Sequence, residues 1–207
     1  WYALAERRWR NWYGVSKNDK WAIFGGQLII SQHITDPPFW IENTSMKQLY
    51  CSVYHLSAEN IKYYANKLKE FKPKYIYGYA SALYTLAFEV KAQGLELPSV
   101  AVILSNAEPL YQYQKDIISQ VFDAPCKDTY GLAETVAAAS ECEYNELHLW
   151  PEAGIYDILN QKNKSVQDGE IGRLISTGLI NFSMPFLRYE TGDCIALKKN
   201  YSCQCGR

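Results

Sequence analysis

Between residues 57 and 129, short apolar runs alternate with amphipathic stretches of ten to fifteen residues. YIYGY (75–79), VAVIL (100–104) and 126–129 read as strands, the second of the continuous apolar kind that is covered on both faces. From Ser57, a candidate N-cap, to about Leu68, the residues Ile61, Tyr64, Ala65 and Leu68 fall on one helical face, and Pro73 forbids continuation. A second helix is expected over Ser81–Gln93, closed by Gly94, and a third over Leu110–Phe122. Such alternation predicts βαβ units and a parallel sheet with helices on its faces. Upstream, residues 2–13 read as helical, WAIFGGQLII (21–30) as a buried strand interrupted at Gly25-Gly26, and LYCSVYHL (49–56) as another strand. After about residue 146 the texture changes to short strands separated by Gly, Pro and Asn, among them HLW, IYDIL, IGRLIST, FLRYE and CIAL. The expected class is therefore α/β. A layered, mostly parallel sheet with flanking helices occupies 1–145, and a small β subdomain occupies 146–207.

Ligands of parallel sheets sit beyond the carboxyl ends of the strands. Three such exits are predicted, at Gly78–Ser81, Ser105–Pro109 and Tyr130–Glu134. In SNAEPL (105–110), small residues let the backbone approach a planar ligand, and Glu108-Pro109 would begin the next helix with an acid at its positive end. A plain strand-to-helix turn explains the same residues. In YGLAE (130–134), Gly131 permits a tight bend, Tyr130 offers a flat face to a base, and Glu134 offers a hard oxygen to Mg²⁺. In RYETGD (188–193), Thr191-Gly192 would form a turn presenting Asp193, whose carboxylate can accept both hydroxyls of a ribose diol. A hairpin turn with a surface acid is the alternative.

Other classes fit poorly. A net charge of −1 without a basic cluster leaves no footprint for nucleic acid, and no apolar run approaches the roughly 18–20 residues of a membrane helix. No G-x-S-x-G turn or G-x-G-x-x-G fingerprint is present. Six unevenly spread cysteines do not make a disulfide framework, and a reduced, cytoplasmic setting is expected. Among them, Cys142 and His148 lie six residues apart and Cys203 and Cys205 two apart. Together they form a Cys₃His set suited to a structural, tetrahedral Zn²⁺; the competing reading is four unrelated residues with reduced thiols.

SNAEPL, YGLAE, GEIGRLISTGL (169–179) and RYETGD, in that order, resemble the adenylate-forming superfamily. The likeness is strongest to its phenylacetate–CoA ligase branch and the relatives of that branch in capsule-polysaccharide synthesis. MPFLRYETGD, the terminal CQCGR and the aromatic RRWRNWYGV opening carry that likeness across nearly the whole chain. The resemblance implies an AMP-forming ligase that makes an acyl-adenylate from a carboxylic acid and Mg·ATP, then passes the acyl group to CoA or another thiol. It implies that Tyr130 stacks on adenine, beside Gly131, that Asp128 meets the adenine amino edge, and that Ser105, Asn106, Ala107 and Glu108 line the pocket. Thr129 or Thr135 would reach phosphate, Glu134 would hold Mg²⁺, and Asp193 would hold the ribose, with Arg188 of the same motif also among the nucleotide-binding residues. Tyr77, Gly78, Tyr79 and Ser81 match the border of the acyl pocket, where aromatic residues suit a flat acid or serve simply as core. Some members of the branch carry a zinc site matching the Cys₃His set. The expected partners are a small carboxylic acid, ATP, and CoA or another thiol, with a homodimer allowed.

The superfamily's SGTTG-type phosphate loop and its C-terminal lysine domain have no counterpart in the 207 residues. Their amide donors and lysine stabilise developing charge, so the isolated chain is expected to be a fragment that is nearly inactive. The alternative is a non-catalytic nucleotide-binding or scaffold module that keeps the fold without the chemistry.

Overall fold

The computed structural model describes residues 1–198 and 201–207. The chain forms two compact units, Trp9–Thr129 and Trp1–Arg8 with Tyr130–Arg207.

The larger unit is built on β1 (Trp21–Gly25), β2 (Trp40–Asn43), β3 (Gln48–Ser52), β4 (Tyr75–Tyr79), β5 (Val102–Asn106) and β6 (Cys126–Gly131), whose last two residues belong to the smaller unit. Their order across the sheet is β2-β3-β1-β4-β5-β6. Every pairing from β3 to β6 is parallel, and β2 alone runs antiparallel at the edge. Numbering helices from the short amino-terminal turn α1 (Tyr2–Ala5), the larger unit carries α2 (Ile61–Phe71), α3 (Ala80–Ala92) and α4 (Gln112–Phe122). Helix α2 buries Ile61, Tyr64, Ala65 and Leu68, the face expected from its 3.6-residue spacing, and also Phe71. Fully buried Phe24, Leu49, Ile76, Leu83, Leu86 and Ile103 join them in one core, so the α/β expectation holds.

Several boundaries differ from the sequence expectation. Helix α2 starts at Ile61 rather than Ser57, because Ser57 spends its carbonyl on a preceding turn, accepting from Asn60 and Ile61 amides. The strand expected over 21–30 ends at Gly25. A Cβ on Gly25 would stand 2.5 Å from the Tyr50 hydroxyl and one on Gly26 2.8 Å from the Tyr79 ring, so tyrosines crowd the chain where it leaves the sheet. Helix α4 begins at Gln112, with Tyr111 in extended backbone as its N-cap and the Gln114 side chain accepting the Tyr111 amide at 3.0 Å in a capping box. Two strands were not foreseen. The edge strand β2 follows Pro37-Pro38, and β7 (Ala138–Glu141) is a run of small residues with helical propensity that is buried at all four positions.

The smaller unit contains β7, β8 (Leu147–Leu149), β9 (Gly154–Leu159), β10 (Ile171–Gly178) and β11 (Tyr189–Ala196). Strands β7 and β8 form an antiparallel pair, and β9, β10 and β11 form an antiparallel sheet in the order β11-β10-β9. FLRYE and CIAL, expected as separate strands, run together as β11. Gly154 is compelled by close packing, since a Cβ there would lie 2.1 Å from the Val136 carbonyl oxygen. Val136, Ala137 and Leu174 form a small buried cluster on which Tyr130, Tyr156, Phe186 and Tyr189 pack.

Candidate functional site

The nominated residues fall on both units, and each set has its own geometry. In the larger unit, β5 and β6 pair Ser105 with Asp128 across the sheet. The Ser105 hydroxyl donates to Asp128 Oδ1 at 2.8 Å, and the Thr129 hydroxyl donates to the Ser105 carbonyl at 2.7 Å. Three nominated residues are thus locked together at the carboxyl end of the parallel strands. Tyr77 is held on its face by Trp9, with ring centroids 5.6 Å apart and planes 7° from parallel. Its hydroxyl lies beside Thr129 and Asn106, and burial holds its phenol above the usual tyrosine range. Gly78 has no room for a side chain, because a Cβ would stand 2.7 Å from the Phe24 carbonyl oxygen.

Glu108 corrects the sequence expectation. Its carboxylate does not serve the helix that follows it. It accepts the Ser81 backbone N–H at 2.8 Å and the Ser81 hydroxyl at 3.0 Å, and so caps the first turn of α3. The adjacent Ala107 has φ +63°, a left-handed backbone that costs a non-glycine residue about 1–3 kcal/mol. Ser81 and Tyr79 also line a cleft of about 210 Å³ with Val53, Leu56, Ala82 and Thr85.

In the smaller unit, Tyr130 and Asp193 meet although 63 residues separate them, the Tyr130 hydroxyl donating to Asp193 Oδ2 at 2.6 Å. The expected Thr191-Gly192 turn is instead a bulge inside β11. Opposite it, β10 advances two residues, from Arg173 to Ile175, while β11 advances four, from Cys194 to Glu190. Gly192 takes φ +85° there, Thr191 donates to the Leu174 carbonyl, and the Asp193 amide donates to the Thr191 hydroxyl. Bulges of this kind re-aim a side chain, and here the re-aimed group is Asp193. Burial and the Asp193 carboxylate push the Tyr130 phenol well above its ordinary range, so it is a permanent donor.

Glu134 accepts the Tyr189 hydroxyl at 2.9 Å, a contact that no motif reading nominated. Thr135, next in the chain, sits at φ +57°, costly for a β-branched residue. Gly131 is exposed between Tyr130 and this turn, with no heavy atom closer than 3.8 Å to a Cβ placed on it. Arg188 also has a left-handed backbone, at φ +48°, and its guanidinium pairs with Asp157 at 2.6 Å on the exposed side of the sheet.

The four candidate metal ligands converge. The ligand atoms of Cys142, His148, Cys203 and Cys205 all lie within 4.8 Å of one another. Cys142 Sγ is 3.7 Å from Cys203 Sγ, and Cys205 Sγ is 3.3 Å from His148 Nε2. Bonds of about 2.3 Å to sulfur and about 2.0–2.1 Å to nitrogen give tetrahedral edges of about 3.8 and about 3.6 Å, so the donor set fits Zn²⁺. Burial, then the nearby Arg207 guanidinium, hold the His148 imidazole below its usual pKa, which favours the neutral form a metal requires.

No family model matches the chain. In sequence it is similar to the protein CapK of Staphylococcus aureus, 31 % identical over 187 residues, covering 90 % of this chain and 40 % of that protein. It is 28 % identical over 147 residues to a phenylacetate-coenzyme A ligase of Thermus thermophilus, covering 68 % of this chain and 33 % of that protein. The chain thus spans well under half the length of these relatives. In fold it is similar to a 2-hydroxyisobutyryl-CoA ligase solved in complex with 2-HIB-AMP and CoA, with a TM-score of 0.69, 21 % identity, and coverage of 99 % of this chain and 46 % of that one.

Proposed function

The chain belongs to the adenylate-forming superfamily, and on that premise we propose that it carries the nucleoside-binding part of an AMP-forming carboxylate ligase. In the proposed reaction a carboxylate oxygen bonds to the α-phosphorus of ATP as the bond to pyrophosphate breaks; the sulfur of CoA or another thiol then bonds to the acyl carbon, losing its proton, as the acyl–oxygen bond breaks and AMP leaves. The observation that carries this reading is the meeting of Tyr130 and Asp193 at 2.6 Å, which joins the YGLAE and RYETGD motifs.

Each residue has a share of the chemistry. Tyr130 keeps a ring face for adenine while its hydroxyl serves Asp193. Asp193 accepts from the ribose diol with the carboxylate that the bulge aims. Glu134 would hold Mg²⁺, which when bound neutralises phosphate charge. Thr135 or Thr129 would reach phosphate, and Arg188, paired with Asp157, would be a further nucleotide-binding residue of the RYETGD motif. Asp128 and the 105–108 backbone would meet the adenine edge, with Ser105 fixing Asp128 in place. Tyr77, Gly78, Tyr79 and Ser81 would border the acid, and the polar lining of the Ser81–Thr85 cleft suits a small one. Cys142, His148, Cys203 and Cys205 would hold a structural Zn²⁺, a closed set of four protein ligands with no open position for chemistry.

The test is acid-dependent ATP–pyrophosphate exchange by the full-length protein. Glu134→Gln is expected to lower exchange by at least about 100-fold, the scale on which a transition-state charge contact acts. Exchange at the wild-type rate in this variant would overturn the assignment.

A further inference from the structure

The two motifs of the smaller unit share a spacing. YGLAE places Tyr130 four residues before Glu134, and YETGD places Tyr189 four residues before Asp193. The hydrogen bonds run crosswise between them. Tyr130 of the first segment donates to Asp193 of the second, and Tyr189 of the second donates to Glu134 of the first. Both rings pack on the same Val136–Ala137–Leu174 cluster, so both hydroxyls are fixed by one small core. Each tyrosine takes one carboxylate oxygen, Oδ2 of Asp193 and Oε1 of Glu134. Among the described residues, no side-chain hydrogen bond or ion pair engages the second oxygen of either acid.

From this reciprocal exchange we infer that Tyr189 and Tyr130 are positioning residues, each aiming the acid of the opposite segment at its ligand. Tyr189 orients Glu134 for the divalent cation, and Tyr130 orients Asp193 for the ribose diol. The inference rests on the nucleotide-binding reading and adds a residue, Tyr189, together with a division of labour that the motifs alone do not assign. A phenol donating to one carboxylate oxygen fixes the plane of the group and leaves the second oxygen to the ligand. Without it, the carboxylate rotates and the ligand must order it on binding. Tyr130 can serve both its roles because stacking uses the ring face and the brace uses the hydroxyl, and Tyr→Phe separates the two.

The experiment measures ATP affinity of the full-length protein by calorimetry for wild type, Tyr130→Phe and Tyr189→Phe. Two ratios are read in each protein: affinity with Mg²⁺ over affinity in EDTA, and affinity for ATP over that for 2′,3′-dideoxy-ATP. The expected pattern is crossed. Tyr189→Phe loses about tenfold in the Mg²⁺ ratio and keeps the diol ratio, while Tyr130→Phe loses about tenfold in the diol ratio and keeps the Mg²⁺ ratio, the scale of one hydrogen bond to a charged group. In an Asp193→Asn background, Tyr130→Phe is expected to change the diol ratio no further. A merely structural role moves both ratios together, or moves the ratio belonging to each tyrosine's own segment, and either result would overturn the inference. Unchanged ratios in a wild type and variants that bind ATP would overturn it while sparing the nucleotide reading. Failure of the wild type to bind ATP at all would overturn both.

Discussion

The two units hold their residues in place by different means. All twelve of the largest fully buried side chains lie between Phe24 and Leu104, in the parallel-sheet unit. Both units carry surface ion pairs, Lys67 with Glu42, Lys69 with Glu96 and Lys74 with Asp19 in the parallel-sheet unit, but the β unit adds polar ties of another kind to a smaller core. Arg8 pairs with Glu152, Arg173 with Glu190, Arg188 with Asp157 and Arg207 with Glu143, alongside the tyrosine–carboxylate exchange and the Cys₃His cluster. Partly exposed ion pairs contribute only about 0–1 kcal/mol each. A metal held by the four side chains, as proposed above, would contribute far more, and would close a loop of some sixty residues between Cys142 and Cys203. With that metal bound, the cluster would be the tie that the small Val136–Ala137–Leu174 core does not replace.

That contrast is open to direct attack, beginning with the largest effect. Cys142→Ser should abolish zinc retention and unfold the β unit, since structural zinc sites contribute on the order of 10 kcal/mol. Metal analysis with limited proteolysis checks this: cleavage should concentrate after residue 130 and spare the parallel-sheet unit. A variant that is zinc-free yet resistant throughout would show that burial suffices in both units. Next comes Leu83→Ala in α3, a fully buried position, expected to cost about 2–5 kcal/mol by denaturant titration with no change in zinc content. The smallest effect is Glu108→Ala, which removes the cap from α3 and should cost about 1 kcal/mol. A loss as large as that of Leu83→Ala would mean that the parallel-sheet unit depends on polar ties as much as its neighbour does.

Legibility in the sequence followed the same divide. In the parallel-sheet unit, periodicity and apolar runs located YIYGY at its true ends and the buried face of α2, because burial writes itself into residue spacing. What it missed there depended on tertiary partners. Glu108 looked like the start of its own helix, yet its carboxylate belongs to Ser81, and the strand from Trp21 stops where Tyr50 and Tyr79 crowd two glycines. In the β unit, the candidate ligands Cys142, His148, Cys203 and Cys205 were legible because thiols and imidazoles are rare and their grouping is suggestive. The bulge that aims Asp193 was not, because a glycine with positive φ serves a turn and a bulge equally well. Tyr189 went unnominated although its spacing to Asp193 repeats that of Tyr130 to Glu134, a repeat that gains meaning only when the crosswise bonds are seen.

The cap on α3 also bears on the order of assembly. Helix α3 connects β4 to β5, and the carboxylate that completes its first turn arrives from 27 residues downstream, just past the end of β5. The cap therefore requires β5 and the turn after it to be in place before the amino end of the helix is complete. If that contact forms late, Glu108→Ala should speed unfolding more than it slows folding, which stopped-flow kinetics would read.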